Sequence, residues 1–430
     1  MKFASVLALL LMAHPLFAAD WHADIDAATE QAEESTVALR HYFHANPELG
    51  NREFKTAKKI AARLRELGFE DIEEGVAHTG VVAVLKGGLP GPTVALRADM
   101  DGLPVTEQTG LPFASKVTTQ WQGQETGVMH ACGHDAHMAI LLGAAQVLAS
   151  MREQIPGNVK FIFQPAEEGP PAGEEGGAQL MIKEGVLEGD YAPGAIFGLH
   201  VFPEASGVIV YKPEGFLAAA DSISMTVRGV QTHGSMPWRG VDPIAASAQI
   251  INSLQTIVSR QVDISQAPAV VTIGSIEGGN RGNIIPDEVR MTGTIRTLDP
   301  AMRDEVHARV IRTAELVAES FGATAEVQID KGYPVTMNDA ELTAQMSQEL
   351  DRVSRGGKAV VVKPIMGAED FSFFANEIPG LFVGLGVAAD NKAQGESAPN
   401  HSPLFYVNDA ALPHGVRALS GLALAWLNAQ

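Results

Sequence analysis

The sequence predicts an α/β fold into which a smaller α+β unit is inserted. Runs with strand character alternate with helical runs in the first half of the chain, which is typical of a sheet covered by helices. Between about residues 214 and 330 the order becomes β-α-β-β-α-β, the order of a ferredoxin-like sandwich. The alternation then resumes, so we expect residues 20–213 and 331–430 to form one domain around the insertion.

The elements of this outer domain follow from hydrophobic periodicity and from the residues that break it. One helical stretch stops near Pro47, a second ends at Gly68, and a long apolar helix follows Cys132. The strands are short apolar runs, namely "GVVAVLKGG", "PTVALRAD", "NVKFIFQPAEEG" and "AIFGLHV". Several of these runs end in charged residues or histidine, which places polar groups together at one edge of the predicted sheet.

The inserted unit combines four strand-like runs with two helices. One helix begins at Asp242 and Pro243, an N-cap followed by proline at the first helical position, and the other ends just before Gly322. The strands are "DSISMTVRGV", "PAVVTIGSIEGG", "EVRMTGTIRTLD" and "TAEVQIDKGYPV".

Composition and charge exclude several classes of partner. The 430 residues are 46% hydrophobic, which is ample for more than one packed core. The formal net charge is -20. Nucleic acids and anionic membranes both attract basic surfaces, so neither is expected as a partner.

The first residues, "MKFASVLALLLMAHPLFAAD", have the pattern of a secretory signal peptide over residues 1–19. One lysine precedes an apolar run that is too short to span a bilayer, and small residues follow at Ala18 and Ala19. We therefore expect an exported, periplasmic protein. In an oxidising compartment the single cysteine, Cys132, would need protection by burial or by a metal.

Groups that carry chemistry cluster where the predicted strands end. Asp99 and Asp101 follow one strand, Glu167 and Glu168 follow another, and His200 ends a third. The fourth group is "MHACGHDAH", which follows a loop and opens a helix. In open α/β sheets the functional site lies beyond the carboxyl ends of the strands. A single buried histidine is more often a hydrogen-bonded core residue than a ligand, and adjacent glutamates are usually solvated. Four such groups at equivalent sheet ends nevertheless favour one shared site.

The residue types at this edge suit a divalent metal. Cys132 has three readings, as a buried small hydrophobe, a nucleophile or a ligand, and with His134 two positions away it can face one ion. Thiolate, imidazole and carboxylate together suit zinc or another first-row ion. Glu167 and Glu168 are adjacent, so their side chains diverge, and one can bind metal while the other holds a water. That division suits metal-assisted hydrolysis.

Taken together, the motifs resemble the two-metal aminoacylase and carboxypeptidase family. Within it, the sequence is most similar to the subfamily of hippurate hydrolases, N-acyl-amino-acid deacylases and plant indole-acetyl-amino-acid amidohydrolases. The resemblance extends from about residue 36 to 410. It rests on "HANPELGNRE", "LRADMDGLPV", "MHACGHDAH", "FQPAEEG", "GLHV", "THGSMPWRGVDPI", "GNIIPDEV", "GAEDFSFF" and "NHSPLFYV".

The resemblance implies a metallopeptidase-type catalytic domain that hydrolyses N-acyl or N-aroyl amino acids, or short peptides with a free carboxylate. Glu167 would be the general base, and Asp99 and Asp101 would orient ligands. Mn, Zn, Co and Ni all fit such ligands, with Mn or Zn preferred. The residues implied to hold two metal ions are Cys132, His134, Glu168, His200 and His401.

The resemblance also gives the inserted unit a role, as a lid and as the dimerisation surface of a homodimer or higher homo-oligomer. His233 would stabilise the oxyanion, at the site of a partner subunit or at that of its own chain, and Asn283 would contact substrate. For each, an ordinary loop or turn position is the competing interpretation. The remaining polar residues of the motifs are expected to have structural roles, namely His44, His130, His137 and Glu369.

Two other functions compete with this interpretation. A cysteine hydrolase would use Cys132 as nucleophile, which leaves the glutamate pair and His401 without a role. A non-catalytic periplasmic metal-binding protein would need the ligands but neither Glu167 nor His233. Within the hydrolase interpretation, a dipeptidase or carboxypeptidase specificity remains an alternative to N-acyl-amino-acid hydrolysis.

Overall fold

The structure, a computed structural model, describes residues 21–391 and 395–430. The signal peptide predicted for residues 1–19 lies outside the described residues. Within those ranges, none of the helices combines the length and apolar character needed to cross a membrane.

The strands and helices alternate along the chain as the sequence predicts. The helices are α1 (Trp21–Ala45), α2 (Phe54–Glu66), α3 (His134–Ser150), α4 (Gly177–Lys183), α5 (Pro243–Thr256), α6 (Pro300–Ser320), α7 (Ala340–Val353), α8 (Phe371–Glu377) and α9 (Leu412–Asn428). The strands are β1 (Asp71–Val76), β2 (Gly80–Lys86), β3 (Leu89–Asp99), β4 (Thr118–Trp121), β5 (Gln124–Gly127), β6 (Pro156–Gln164), β7 (Pro193–Phe202), β8 (Ile209–Tyr211), β9 (Glu214–Leu217), β10 (Ala219–Arg228), β11 (Thr232–His233), β12 (Ala269–Gly278), β13 (Ile284–Ile285), β14 (Glu288–Thr297), β15 (Thr324–Lys331), β16 (Thr336–Asn338), β17 (Val360–Val361) and β18 (Gly380–Gly386).

An eight-stranded sheet organises the outer domain, in the order β1-β2-β6-β3-β7-β18-β8-β17. Its central strands β6, β3, β7 and β18 are parallel, so their carboxyl ends meet at one edge. Along β3, Val94 and Leu96 face the core formed with α1, α3 and α9, whereas Ala95 faces the core formed with α4 and α8. The sheet is therefore covered on both faces, which explains its nearly continuous apolar strands.

The inserted unit is a four-stranded antiparallel sheet in the order β12-β14-β10-β15, covered by α5 and α6. Chain order within it is β10-α5-β12-β14-α6-β15, which confirms the predicted sandwich. Asp242 caps α5 by accepting the backbone N–H groups of Ile244 and Ala245, again as the sequence predicts. The chain enters through β9 and leaves through β16, and these two strands pair with each other. Both crossings between the two units therefore lie side by side.

A buried carboxylate fastens α6 to this sheet. The side chain of Asp221, in β10, accepts hydrogen bonds from Arg303 Nε at 3.0 Å and from His307 Nε2 at 2.6 Å. It also accepts the backbone N–H of Gly332, at 3.2 Å, where the chain leaves the unit. The two basic partners hold the pKa of this carboxyl below its usual range despite burial, which raises it.

We expect Asp221→Ala to lower the unfolding free energy of the inserted unit by about 3 kcal/mol, because the buried His307 and the partly buried Arg303 lose their anion. Hydrogen exchange of the β10 amides measures this loss. The control is Asp304→Ala, which removes an exposed ion pair with Lys331, 2.7 Å long, and should leave the stability almost unchanged because solvent screens the pair. Equal losses in the two variants would contradict the role of Asp221.

Candidate metal centre

The predicted chemical groups converge where the parallel strands end. Asp99 is the last residue of β3, His200 lies near the end of β7, and His134 opens α3. Glu167 follows β6 by three residues, and His401 lies in the loop before α9. The sheet order places β6, β3 and β7 side by side, and residues up to about 300 positions apart in sequence meet at this edge.

Cys132 lies at the centre of the arrangement. Its Sγ atom is 3.3 Å from His200 Nε2 and 3.2 Å from His401 Nε2. His401 Nε2 is also 3.0 Å from Glu168 Oε1. Two sets of possible ligands share the thiol, Cys132–His134–His200 and Cys132–Glu168–His401. We call these five residues the five-residue cluster.

The ring orientations in the five-residue cluster leave nitrogen lone pairs facing inward. His134 Nδ1 lies 2.8 Å from the carbonyl oxygen of Asp101, and His200 Nδ1 lies 2.8 Å from that of Val201. Each Nδ1–H therefore donates outward, and each Nε2 offers a lone pair when its ring is neutral. His134 Nε2 is buried and has no hydrogen-bond partner within the described ranges. A buried ring nitrogen without a partner fits a metal cation, which would displace the proton.

His137 cannot join the cluster because both of its ring nitrogens are engaged. Nδ1 donates to Asp99 Oδ1 at 2.6 Å, and Nε2 accepts the backbone N–H of Val201 at 2.9 Å. Burial lowers the pKa of this imidazole, which is consistent with a neutral ring that bridges two strands. Asp99 also accepts from Arg97 at 2.7 Å, so its carboxylate is committed to orienting neighbours.

Glu167 is buried next to the five-residue cluster rather than within it. Its Oε2 lies 3.8 Å from His134 Nε2, and its Oε1 lies 3.4 Å from the backbone nitrogen of Asp370. Burial raises the pKa of Glu167 well above its usual range, and the carboxylates of Glu369 and Glu168 add to the effect. A carboxyl group with this environment can both accept a proton and hold it.

Residues 165–169, the glutamate turn, place the two glutamates. Asp101 accepts the backbone N–H groups of Glu167 and Glu168 through its two oxygens, each at 3.0 Å. Ala166 adopts a positive φ of 51°, which is strained for a residue with a Cβ atom. Its N–H donates to Glu53 Oε1 at 2.9 Å. Side chains from distant segments therefore impose the shape of the turn.

Glu53 and Asn400 are supporting residues that sequence reasoning missed. Burial, with Asp101 nearby, raises the pKa of Glu53 to about 8, and Thr79 donates to its side chain at 2.6 Å. Asn400 Nδ2 donates to the carbonyl oxygens of Cys132 and Val201, both at 3.1 Å, and so fastens the loop that carries His401. The signal was present in both cases, because Glu53 ends "HANPELGNRE" and Asn400 opens "NHSPLFYV".

A glycine lets Cys132 and His134 face the same point. Gly133 has a φ of 95°, and a Cβ atom there would lie 2.2 Å from Val201 Cγ2. A side chain at this position would be strained by the backbone conformation and would clash with Val201. The residue therefore belongs to the site although it offers no ligand atom.

His44 and His130 lie in the motifs but not in the cluster. His44 contacts Asp135 at 2.8 Å and Glu107 at 3.0 Å. Burial lowers the pKa of His44, but the nearby carboxylates of Asp135 and Glu107 together outweigh burial, and the pKa rises to about 9. This ion pair ties α1 to α3. His130 is buried, and burial lowers its pKa to about 4, so it is neutral.

His233 and Asn283 lie beside each other on the inserted unit. β11, which contains His233, pairs with β13, and the N–H of Gly234 donates to the carbonyl oxygen of Asn283 at 2.8 Å. His233 is exposed, and its Nδ1 accepts the N–H of Ser235 at 3.1 Å. Its Nε2 is therefore the protonated nitrogen. Across the described part of the chain, no hydrogen bond or ion pair joins either residue to the five-residue cluster.

Comparisons with known proteins agree with this architecture and with a metal site. Residues 95–425 match the peptidase family M20/M25/M40. The chain is 41% identical to thermostable carboxypeptidase 2 of Saccharolobus solfataricus, over 93% of this chain and 97% of that protein. It is 37% identical to an N-acetylcysteine deacetylase of Bacillus subtilis, over 90% of this chain and 96% of the relative.

A solved structure gives the same result. A dinuclear metal-binding peptidase of the M20 family from Bacillus subtilis superimposes with a TM-score of 0.78 and 35% identity, covering 93% of this chain and 99% of that one. These matches confirm the family resemblance that the motifs indicate. The chain belongs to the peptidase family M20/M25/M40, and it is a hydrolase of that family.

Proposed function

We propose that the chain hydrolyses the amide bond of N-acyl or N-aroyl amino acids, or of short peptides, and releases a free amino acid. The observation that carries this proposal is the placement of two adjacent carboxylates. Glu168 lies within the five-residue cluster, whereas Glu167 is buried beside it, 3.8 Å from His134. A ligand and a proton carrier therefore sit next to each other, which is what metal-assisted hydrolysis needs.

The proposed metal ligands are Cys132, His134, Glu168, His200 and His401. Divalent ions bound there, Mn or Zn by preference, would polarise the amide carbonyl and lower the pKa of the attacking water. Two overlapping ligand sets that share Cys132 support a two-ion site. Asp99 supports the site indirectly through His137, and Asp101 does so through His134 and the glutamate turn.

Glu167 moves the proton in this mechanism. One of its carboxylate oxygens takes a proton from water as the water attacks the amide carbonyl carbon. The same oxygen then donates that proton to the leaving amine nitrogen as the C–N bond breaks. Burial raises the pKa of Glu167, so the proton is held between the two steps. The products are a carboxylic acid and a free amino acid.

His233 is proposed to stabilise the negative charge on the amide oxygen. Its Nε2–H is available as a donor because Ser235 occupies Nδ1. The ring is exposed on the inserted unit and has no hydrogen bond to the five-residue cluster in the described residues, which supports action at the site of a partner subunit. Asn283, its neighbour, is placed to contact the same substrate.

A carboxypeptidase specificity is the second candidate. The relative that is 41% identical is a carboxypeptidase, and the one that is 37% identical is a deacetylase. Both reactions break an amide bond by the same steps. We favour N-acyl amino acids because of the subfamily motifs.

We further propose that the protein is exported to the periplasm, because of the pattern of residues 1–19, and that it forms a homodimer.

Protein reconstituted with Mn or Zn should release free amino acid from N-acetyl or N-benzoyl amino acids, as detected by mass spectrometry. Glu167→Gln should retain its metal but lose activity by ~10²–10⁴-fold, because it cannot take the proton. The matched variant Glu168→Gln should lose metal as well. If the wild-type protein releases no amino acid, the proposed function is wrong. If Glu167→Gln remains active, only the assigned base is wrong.

Cys132→Ala should lose bound metal, whereas Cys132→Asp should retain it, because a carboxylate is also a ligand for divalent ions. Inductively coupled plasma mass spectrometry gives the metal content of each variant. In the metal-free protein, burial is the main reason why the pKa of the Cys132 thiol lies well above its usual range, and the Glu168 carboxylate raises it further. Binding requires the thiolate, so metal affinity should weaken as pH falls. If Cys132→Ala keeps its full metal content, Cys132 is not a metal ligand.

His233→Ala should lower kcat by ~10²–10³-fold with little change in KM, because it removes a donor to the transition state. Mixing His233→Ala with Glu167→Gln under subunit exchange should restore part of the activity, since each mixed dimer has one intact composite site. His78→Ala, at an exposed histidine of the outer domain, should leave kcat unchanged. No recovery in samples shown by native mass spectrometry to contain mixed dimers would place the action of His233 within its own subunit.

A further inference from the structure

Tyr333 connects the inserted unit to the glutamate turn. It lies two residues beyond β15, where the chain leaves the inserted sheet. Its hydroxyl donates to the backbone carbonyl oxygen of Glu167 at 2.5 Å. Its own carbonyl oxygen accepts the N–H of Ala220, at the start of β10, at 3.0 Å. A single residue thus contacts both the base-bearing turn and the inserted sheet.

Gly332, the residue before Tyr333, is bound to the inserted unit through both its N–H and its carbonyl group. The N–H of Gly332 donates to Asp221 at 3.2 Å, and its carbonyl oxygen accepts from Arg303 at 3.2 Å. Asp221 and Arg303 also bond to each other. The exit segment therefore moves with β10 and α6. Any rotation of the inserted unit against the outer domain must carry Tyr333 with it or break these bonds.

The glutamate turn is sensitive to such a movement. Ala166 has a positive φ, and a strained conformation persists only where its surroundings impose it. Glu53 and Asp101 hold the turn through its N–H groups, and both belong to the outer domain. Tyr333 holds the carbonyl of Glu167 from the other side. Without that bond, the peptide unit of Glu167 can rotate and its carboxylate can move.

We propose that Tyr333 is a positioning residue that couples the orientation of the inserted unit to the placement of the Glu167 carboxylate. The movement that brings His233 to a substrate would then also align the base. This inference rests on the proposed function of Glu167. Burial raises the pKa of Tyr333 far above its usual range, so the phenol stays a donor at neutral pH.

The phenylalanine variant is conservative at this position. The Tyr333 ring packs edge-on against Phe373, with ring centroids 6.0 Å apart, and Tyr333→Phe leaves that contact in place. Losing one hydrogen bond to the turn should lower kcat about ten-fold. KM and metal content should not change. A purely structural tie would instead lower the melting temperature or the metal content while leaving kcat per metal-loaded site unchanged.

A double-mutant cycle tests whether Tyr333 acts through Glu167. In the Glu167→Gln background, Tyr333→Phe should cause no further loss of the residual rate, because the group that it positions is gone. A full additive loss would overturn the proposal, as would an unchanged kcat in the single variant. Tyr42→Phe removes the same hydroxyl from an exposed ring of α1 and should have no effect in either background.

Hydrogen exchange tests the coupling independently of turnover. In metal-loaded protein, Tyr333→Phe should speed the exchange of the Glu167 and Glu168 amides, which the turn protects through Asp101. Exchange equal to that of the wild-type protein would overturn the coupling. If the wild-type protein hydrolyses none of the substrates but the exchange still changes, the proposed function fails while the mechanical link stands.

Discussion

An excess of buried carboxyl groups over buried cations at the carboxyl ends of the central strands is the constraint on which the rest of the structure depends. Arg97 is fully buried and bonds to Asp99, Glu369 and Asp370 at 2.7, 3.0 and 2.8 Å. One guanidinium cannot neutralise three carboxylates and Glu167 as well. Burial, only partly offset by Arg97, raises the pKa of Glu369 to about 8 and that of Asp370 to about 6. Divalent cations in the adjacent cluster would supply the missing positive charge.

The same constraint favours the proposed ligand role over the other two interpretations of Cys132. A nucleophilic thiol needs a lowered pKa and some exposure, but burial and three carboxylates raise the pKa of this thiol. A small hydrophobe would not explain why two imidazole nitrogens, those of His200 and His401, lie within 3.3 Å of the sulfur. A ligand accounts for both facts, because a metal ion favours the thiolate and takes up the facing lone pairs.

The residues that position Glu167 come from several segments of the chain rather than from one motif. The turn that carries Glu167 owes its shape to Glu53, Asp101 and Tyr333, which come from three separate segments. These bonds act on backbone groups, so each supporting residue sets the direction of a carboxylate that it does not touch. The exit segment at Tyr333 joins the inserted unit, which carries His233, to the same turn. The geometry of the site therefore depends on how the two units are oriented.

Local sequence patterns predicted the main helices and strands, the sandwich order of the insertion and the residue types at the strand ends. Periodicity and capping are local properties, so Asp242 could be recognised as an N-cap from its neighbours alone. The residues of the candidate site could be named because their motifs are continuous. The roles expected for these residues came from the resemblance of the motifs to those of the family, not from periodicity.

The tertiary structure alone decided which atoms meet. That both nitrogens of His137 are occupied depends on Asp99 and Val201, which lie in different strands. The support from Glu53, Asn400 and Tyr333 depends in the same way on distant segments meeting at one edge. Hydrogen-bond partners separated by tens to hundreds of residues are set by strand order and crossover geometry, and these are the cooperative result of packing two cores. Local sequence patterns do not carry that information.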